Sequence, residues 1–141
     1  MKVFLVRHAT AGKRSKWQGD DRLRPLDERG RRQAEKLVEQ LRDARFERIL
    51  SSPYVRCVQT VEPLAKARGL PVETDDSLEE GRGAEAGLAL FRRTGSDLVA
   101  CVHGDLIEEV LGEKRRKGST TLLEIAPERG LVVLDYAEPA A

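Results

Sequence analysis

The sequence predicts an α/β fold of three layers, with helices on both faces of a mainly parallel β-sheet. Short apolar runs typical of buried strands, such as residues 3–6 and Leu98–Val102, alternate with segments whose apolar residues recur at helical spacing. The 141 residues match the usual length of one domain, and no linker, low-complexity tract or internal repeat interrupts them. We therefore expect a single domain over residues 1–141.

The first half of the chain predicts a strand, a long loop, a helix, a second strand and a second helix. Residues 9–26 carry glycine, proline and many charges, which indicates an irregular loop. Asp27 is a good N-cap for the helix that follows, because its carboxylate can accept hydrogen bonds from first-turn amides. Residues 47–51 predict the second strand. Ser52 as N-cap and Pro53 at the first helical position then predict the start of the second helix.

The second half predicts a similar alternation that ends in a hairpin. Its expected elements, in order, are a short edge strand at Val72–Thr74, an acidic turn at 75–81, a helix at 84–93, a strand at Leu98–Val102, a helix through Leu111, and two strands at about 120–126 and 131–136. The charged segment 113–118 is expected to be a solvated loop.

Composition excludes several kinds of partner. The chain has 25 basic and 24 acidic residues, a net charge of +1, so no overall field attracts nucleic acid or an anionic membrane. The apolar runs are too short for a membrane-spanning helix or a signal-peptide core, and we expect a cytoplasmic monomer. Cys57 and Cys101 have no metal-binding spacing and are expected to be core thiols.

Both histidines of the chain directly follow predicted buried strands. His8 comes after Arg7 at the end of the first strand, and His103 follows the Leu98–Val102 strand. Because ligand sites in open α/β sheets lie at the carboxyl ends of strands, these side chains are expected near one another. Arg56 is predicted in the first turn of a helix, where free amides and the helix dipole favour an anion.

Two imidazoles, two guanidiniums and helix amides suit a tetrahedral phosphate, since arginine forks bind phosphoryl oxygens in pairs. Metal binding is the alternative for the histidines. It ranks lower because zinc normally takes three or more protein ligands and neighbouring arginines repel a cation. No GxxxxGK[ST] or GxGxxG motif is present.

The motifs around these residues resemble the histidine phosphatase superfamily and imply its phosphoglycerate mutase-like fold. They occur in the family's order as Leu-Val-Arg-His-Ala at 5–9, Arg-Pro-Leu at 24–26, Gly-Arg-Arg-Gln-Ala at 30–34, Ser-Ser-Pro with Arg56 and Gln-Thr at 51–60, and Val-His-Gly at 102–104. The sequence is most similar to small SixA-type phosphohistidine phosphatases. Around Trp17 it is also similar to the phosphatase half of two-domain Nudix (MutT-type) proteins.

The resemblance implies covalent catalysis with no metal or organic cofactor. His8 would attack the phosphoryl group and become a phosphohistidine that water later cleaves. Arg7 and Arg56 would bind the equatorial oxygens, and His103 would donate a hydrogen bond to them. Arg24 would be a further phosphate ligand. A cationic surrounding should depress the pKa of His8 and keep its ring neutral.

The family's general acid usually follows a Leu-x-Glu pattern, which Leu78, Glu79 and Glu80 match. Glu80 is the expected acid; Glu79, or a turn in which both are merely solvated, are the alternatives. Ala9 departs from the usual glycine, a residue free to adopt positive φ. Arg14 or a neighbour stands where many larger members have a phosphate-binding asparagine.

The substrate prediction depends on the absence of a large cap insertion. Only about twenty residues separate Leu78 from the Leu98–Val102 strand, so the site should be shallow and open. An open site favours a phosphorylated protein, and the expected function is that of a protein phosphohistidine phosphatase. The alternatives are a phosphatase for nucleotides or other small molecules, and a non-catalytic module that binds phosphorylated ligands.

Overall fold

The structure is a computed structural model and describes residues 1–128 and 130–139. Its strands are β1 (Lys2–Arg7), β2 (Arg48–Ser51), β3 (Val72–Thr74), β4 (Leu98–Val102), β5 (Thr120–Ile125) and β6 (Leu131–Ala137). Its helices are α1 (Glu28–Gln40), α2 (Val55–Arg68), α3 (Ala84–Thr94) and α4 (Gly104–Leu111). The predicted order of strands and helices is confirmed. No helix in the described ranges combines the length and the apolar character needed to cross a membrane.

One six-stranded sheet forms the middle layer, in the order β3-β2-β4-β1-β5-β6. The strands from β3 to β1 run parallel, whereas β5 and β6 form an antiparallel hairpin at the edge. The mainly parallel sheet is therefore confirmed, as are both hairpin strands, although Arg129 of the predicted turn lies outside the described residues. Arg7 pairs with Val102 across β1 and β4, so His8 and His103 leave the sheet side by side.

Side chains of the central strands alternate between two cores, as the pleat of a β-strand requires. Leu98, Ala100 and Val102 of β4 pack with α3 and α4 on one face of the sheet. Val99 and Cys101 of the same strand pack with α1 and α2 on the other. The three-layer α/β/α sandwich is therefore confirmed, and between Leu78 and Leu98 the only regular element is α3, with no large cap.

The start of α1 agrees with the prediction, whereas the start of α2 does not. Asp27 caps α1 by accepting a hydrogen bond from the Gly30 amide at 2.7 Å. Helix α2 begins only at Val55, and the predicted N-cap at Ser52 is wrong. The Ser52 hydroxyl accepts a hydrogen bond from the Tyr54 amide at 3.3 Å and lies 2.8 Å from Nε2 of His103, a tertiary contact that competes with helix capping.

The loop at residues 9–26 is irregular, as predicted, but it is closely held against the sheet. It contains two short 3-10 turns, Arg14–Lys16 and Asp21–Leu23. A single antiparallel bridge between Ala11 and Leu26 joins its ends. The loop thereby carries its basic residues back over the carboxyl edge of the sheet.

Candidate active site

A cavity of about 550 Å³ opens at the carboxyl ends of β1 and β4. Its walls come from five separate segments that the fold brings together: the end of β1, the loop at residues 9–26, the turn at Glu80, helix α4 and the segment 113–118. The candidate residues Arg7, His8, Arg24 and Glu80 all line it. The strand ends therefore meet at one cavity, although the candidate residues Arg56 and His103 do not belong to its lining.

His8 is 5% exposed, and its ring orientation is fixed by its neighbour in the chain. Its Nδ1 lies 2.9 Å from the carbonyl oxygen of Ala9. Because a carbonyl oxygen only accepts hydrogen bonds, Nδ1 carries the proton and Nε2 keeps its lone pair. Burial lowers the pKa of His8 from 6.5 to about 3. The hydrogen bond to Ala9 acts in the opposite direction, whereas electrostatic interactions with the nearby His103, Arg56 and Arg7 lower the pKa further. The ring is therefore neutral at pH 7.

Ala9 fits this position without backbone strain. No non-glycine residue in the described part of the chain has a positive φ, so Ala9 does not need the freedom of the glycine usual in the family. Its side chain is buried, and its amide donates to Thr60 Oγ1 at 2.9 Å. The Thr60 contact ties the backbone beside His8 to helix α2.

His103 lies beside His8, with ring centroids 5.5 Å apart. Its Nε2 contacts the Ser52 hydroxyl at 2.8 Å, while its buried Nδ1 has no hydrogen-bond partner among the described residues. Nδ1 lies 4.0 Å from Oε2 of Glu80. One nitrogen of His103 is thus engaged with the protein, and the other remains available to a ligand.

The guanidinium of Arg56 is fully buried and held by one residue of the loop at 9–26. It donates to the carbonyl oxygen of Asp21 at 2.9 Å and to Asp21 Oδ2 at 3.1 Å. Arg7 donates to the carbonyl oxygen of Arg115 at 2.6 Å. Within residues 1–128 and 130–139, the buried Nε of each arginine has no hydrogen-bond partner. Both arginines therefore keep donor capacity for an anion.

Arg24 joins the cluster through the same aspartate. Its Nε donates to Asp21 Oδ1 at 2.9 Å, and its Nη1 donates to the carbonyl oxygen of Gly12. Desolvation opposes ionisation of Asp21, yet hydrogen bonding from Arg24 and the charges of Arg56 and Arg14 hold its pKa below the usual value. Asp21 orients two of the candidate phosphate ligands, a role that was not predicted from the sequence. The sequence feature that could have indicated this role is an acidic pair within a basic loop.

The two candidate acids face different surroundings. Glu80 accepts hydrogen bonds from Arg14 at 3.0 and 3.1 Å and lies 3.7 Å from Arg56 Nη2. Glu79 is buried and forms ion pairs with Arg22 at 3.2 Å and Arg82 at 3.1 Å. Only Glu80 of these two lines the cavity. Arg14, which stands near the family's asparagine position, thus contacts a carboxylate.

The segment 113–118 is an irregular loop with mostly exposed charged residues, as predicted, but it also borders the cavity. Its Gly118 amide donates to the carbonyl oxygens of Arg7 and His8, both at 3.0 Å. Lys114 and Lys117 line the cavity, and burial together with the nearby arginines lowers the pKa of Lys117. A charged run looks the same in sequence whether it faces bulk water or a functional cavity, so pattern alone could not find these residues.

Two further expectations concern the cysteines and the binding of a metal ion. Cys57 and Cys101 are buried and free, as expected of core thiols. Among residues 1–128 and 130–139, no three His, Cys, Asp or Glu side chains are grouped so that they could hold a metal ion.

Comparison with known proteins supports the family resemblance. The family model described as "Histidine phosphatase superfamily (branch 1)" matches residues 3–91. A protein of Mycolicibacterium smegmatis named 8-oxo-(d)GTP phosphatase is 37% identical over 97% of this chain, which spans only 48% of that relative.

Solved structures agree at the level of the fold. The protein histidine phosphatase SixA in complex with tungstate has a TM-score of 0.83 at 21% identity, covering 98% of this chain and 97% of that one. The alpha-ribazole phosphatase from Shigella flexneri has a TM-score of 0.76 at 18% identity, with 95% of each chain covered. On the evidence of the family model, this chain belongs to the histidine phosphatase superfamily.

Proposed function

We propose that the protein is a metal-independent phosphatase with His8 as its nucleophile. The observation that carries the proposal is the neutral His8 ring, whose Nδ1 proton is held by Ala9 and whose other nitrogen is free to attack. Attack by Nε2 forms a phosphorus–nitrogen bond as the bond to the leaving oxygen breaks. Water then cleaves the phosphohistidine and regenerates the enzyme.

The charges around His8 suit the transferred phosphoryl group. Arg7, Arg24 and Arg56 are fixed by contacts with the protein before any ligand binds. Fixed donors stabilise charge that develops in the transition state without a cost of reorganisation, and phosphoryl transfer depends mainly on such positioning. His103 is proposed to donate from Nδ1 to a phosphoryl oxygen.

Glu80 is proposed as the general acid and base of the two steps. Its carboxyl would protonate the leaving oxygen as the phosphohistidine forms. The resulting carboxylate would accept a proton from the attacking water in the second step. Its proximity to Arg56 and His103 supports this assignment, whereas the two ion pairs of Glu79 support a structural role for that residue.

For the substrate we propose a nucleotide carrying a terminal phosphate. The M. smegmatis relative, whose name specifies an oxidised guanine nucleotide, aligns with nearly the whole chain. The resemblance to SixA is one of fold. A protein phosphohistidine remains the second candidate, because no large cap covers the cavity and exposed Lys114 and Lys117 at its rim are accessible to a macromolecule.

A substrate panel tests both parts of this proposal. Wild type and His8→Asn are assayed with GDP, with a phosphohistidine carrier protein and with p-nitrophenyl phosphate, each with and without a chelator. We expect chelator-insensitive hydrolysis of GDP that the variant loses. Unchanged turnover by His8→Asn would overturn the phosphatase mechanism, and hydrolysis of the carrier protein alone would assign the second candidate.

A further inference from the structure

A second cavity of about 330 Å³ adjoins the candidate active site, and none of the catalytic steps uses it. Trp17, Pro25 and Leu26 provide its apolar walls, and Lys16 and Asp27 also line it. It shares the lining residues Gly12, Lys13 and Arg24 with the larger cavity, so the two lie side by side. Building on the proposed function, we propose that this cavity binds the base of a nucleotide substrate, with Trp17 as the residue on which the base stacks.

Trp17 is held in place before a ligand arrives. Its indole Nε1 donates to the carbonyl oxygen of Asp20 at 2.9 Å, and its amide donates to the carbonyl oxygen of Arg14 at 3.2 Å. The residue nevertheless remains 38% exposed, although a tryptophan has much to gain from burial. A fixed, partly exposed aromatic ring loses little entropy when a flat ligand covers it.

The shared wall relates the base to the phosphate. Arg24 borders both cavities while its guanidinium is bonded to Asp21 and Gly12. A ligand that extends from His8 toward Trp17 would run along the residues that border both cavities. This arrangement fits a molecule with an anionic end and a planar apolar end, which describes a nucleotide.

The charge of the larger cavity indicates more than one phosphate. Six basic side chains line it against three carboxylates; the basic ones are Arg7, Lys13, Arg14, Arg24, Lys114 and Lys117. One of the carboxylates, Glu80, is already paired with Arg14. This excess of positive charge would stabilise a second phosphate between His8 and the base. A peptide that carries a phosphohistidine would bring only one phosphate into the cavity. A nucleoside diphosphate is therefore the ligand that we infer.

Kinetic discrimination between substrates with and without a base tests the inference. The ratio of kcat/KM for GDP to that for inorganic pyrophosphate is measured in wild type, Trp17→Ala, Trp17→Phe and Leu23→Ala. Leu23 is an exposed apolar residue of the same loop that lines neither cavity. Stacking on an aromatic ring predicts a fall of roughly 5- to 150-fold in this ratio for Trp17→Ala, with most of it restored by phenylalanine and no change in Leu23→Ala.

Fluorescence gives a readout that is independent of catalysis, because Trp17 is the sole tryptophan of the chain. In the His8→Asn variant, GDP should quench the emission in a saturable way, and pyrophosphate should not. An unchanged ratio in Trp17→Ala, or equal effects of GDP and pyrophosphate on emission, would overturn the proposed base site. Loss of turnover in His8→Asn together with an unchanged Trp17→Ala ratio would leave the phosphatase mechanism standing and reject the base site alone.

Discussion

The hydroxyl of Ser52 lies 2.8 Å from Nε2 of His103, and the other ring nitrogen, Nδ1, is buried without a partner in the part of the chain that the structure describes. If the hydroxyl donates to Nε2, the proton of a neutral His103 ring must be on Nδ1. That is the nitrogen proposed to donate to the phosphoryl group. Ser52 would therefore act as a positioning residue that selects the tautomer of His103.

Ser52→Ala should lower kcat more than it raises KM, because the hydrogen bond from Nδ1 matters most as charge develops on the phosphoryl oxygens. A buried hydrogen bond of this kind contributes about 1–3 kcal/mol, which corresponds to a loss of roughly 5- to 150-fold. Nitrogen NMR of the His103 ring should show a change in tautomer. Ser51→Ala is the matched control, since Ser51 is equally buried but donates to the backbone of Ser52.

Glu80→Gln should slow substrates whose leaving group needs a proton. We expect a fall of about 10²- to 10⁴-fold in kcat for a nucleotide, and a much smaller fall for p-nitrophenyl phosphate, whose leaving group departs as a stable anion. Glu79→Gln, which removes charge from two ion pairs, should lower the free energy of unfolding more than the rate. Equal rate losses on both substrates would contradict an acid role for Glu80.

His8 should stay neutral well below the usual range of a histidine. Burial lowers the pKa of His8 from 6.5 to about 3, so the unfolded chain binds more protons than the native state between these values. The contribution of His8 to the free energy of unfolding is therefore fully present above about pH 6.5. It decreases as the pH falls, by at most about 3 kcal/mol down to about pH 4.

Ring NMR and urea unfolding both report on this residue. The chain has two histidines, so the His8→Gln variant assigns their signals directly. We expect the His8 signal not to titrate between pH 7 and pH 4, and the wild type to lose more stability than His8→Gln over that interval. A titration midpoint near 6.5 for His8 would contradict the proposed electrostatics.

Gly104→Ala should displace Arg7 without unfolding the protein. A Cβ at Gly104 would lie 2.9 Å from Cζ of Arg7, whose guanidinium is held by the carbonyl oxygen of Arg115. Alanine is favourable at the start of helix α4, so the cost should fall on phosphate binding rather than on folding. We expect kcat/KM to fall by about 10- to 100-fold, as misplacement of a positioning group can produce.

Gly30→Ala provides the contrasting variant. Its Cβ would lie 1.9 Å from the carbonyl oxygen of Thr10, a backbone atom that cannot rotate away. Thermal and urea unfolding should show a destabilisation of about 2 kcal/mol or more. If Gly104→Ala proved to be the less stable of the two variants, the described packing of Arg7 against α4 would be wrong.

The sequence predicted the structure correctly wherever a single local rule determined the position of a residue or element. Alternating apolar strands and the rule that sites form at strand ends placed Arg7, His8 and His103 together. Tertiary contacts defeated such rules elsewhere. Ser52 has the features of an N-cap but contacts His103, and the exposed basic run containing Lys117 also lines the cavity, which its charges alone did not indicate. The ion pairs of Glu80 with Arg14 and of Glu79 with Arg22 likewise form between distant segments.

The central claim is that the phosphoryl group passes through His8. Rapid acid-free quenching of the enzyme with radiolabelled nucleotide, followed by peptide mapping, tests it most directly. The account predicts an acid-labile, alkali-stable label on His8 that disappears in His8→Asn and persists in Glu79→Gln. Sustained turnover with no labelled enzyme at any quench time, or label on His103 in place of His8, would contradict it.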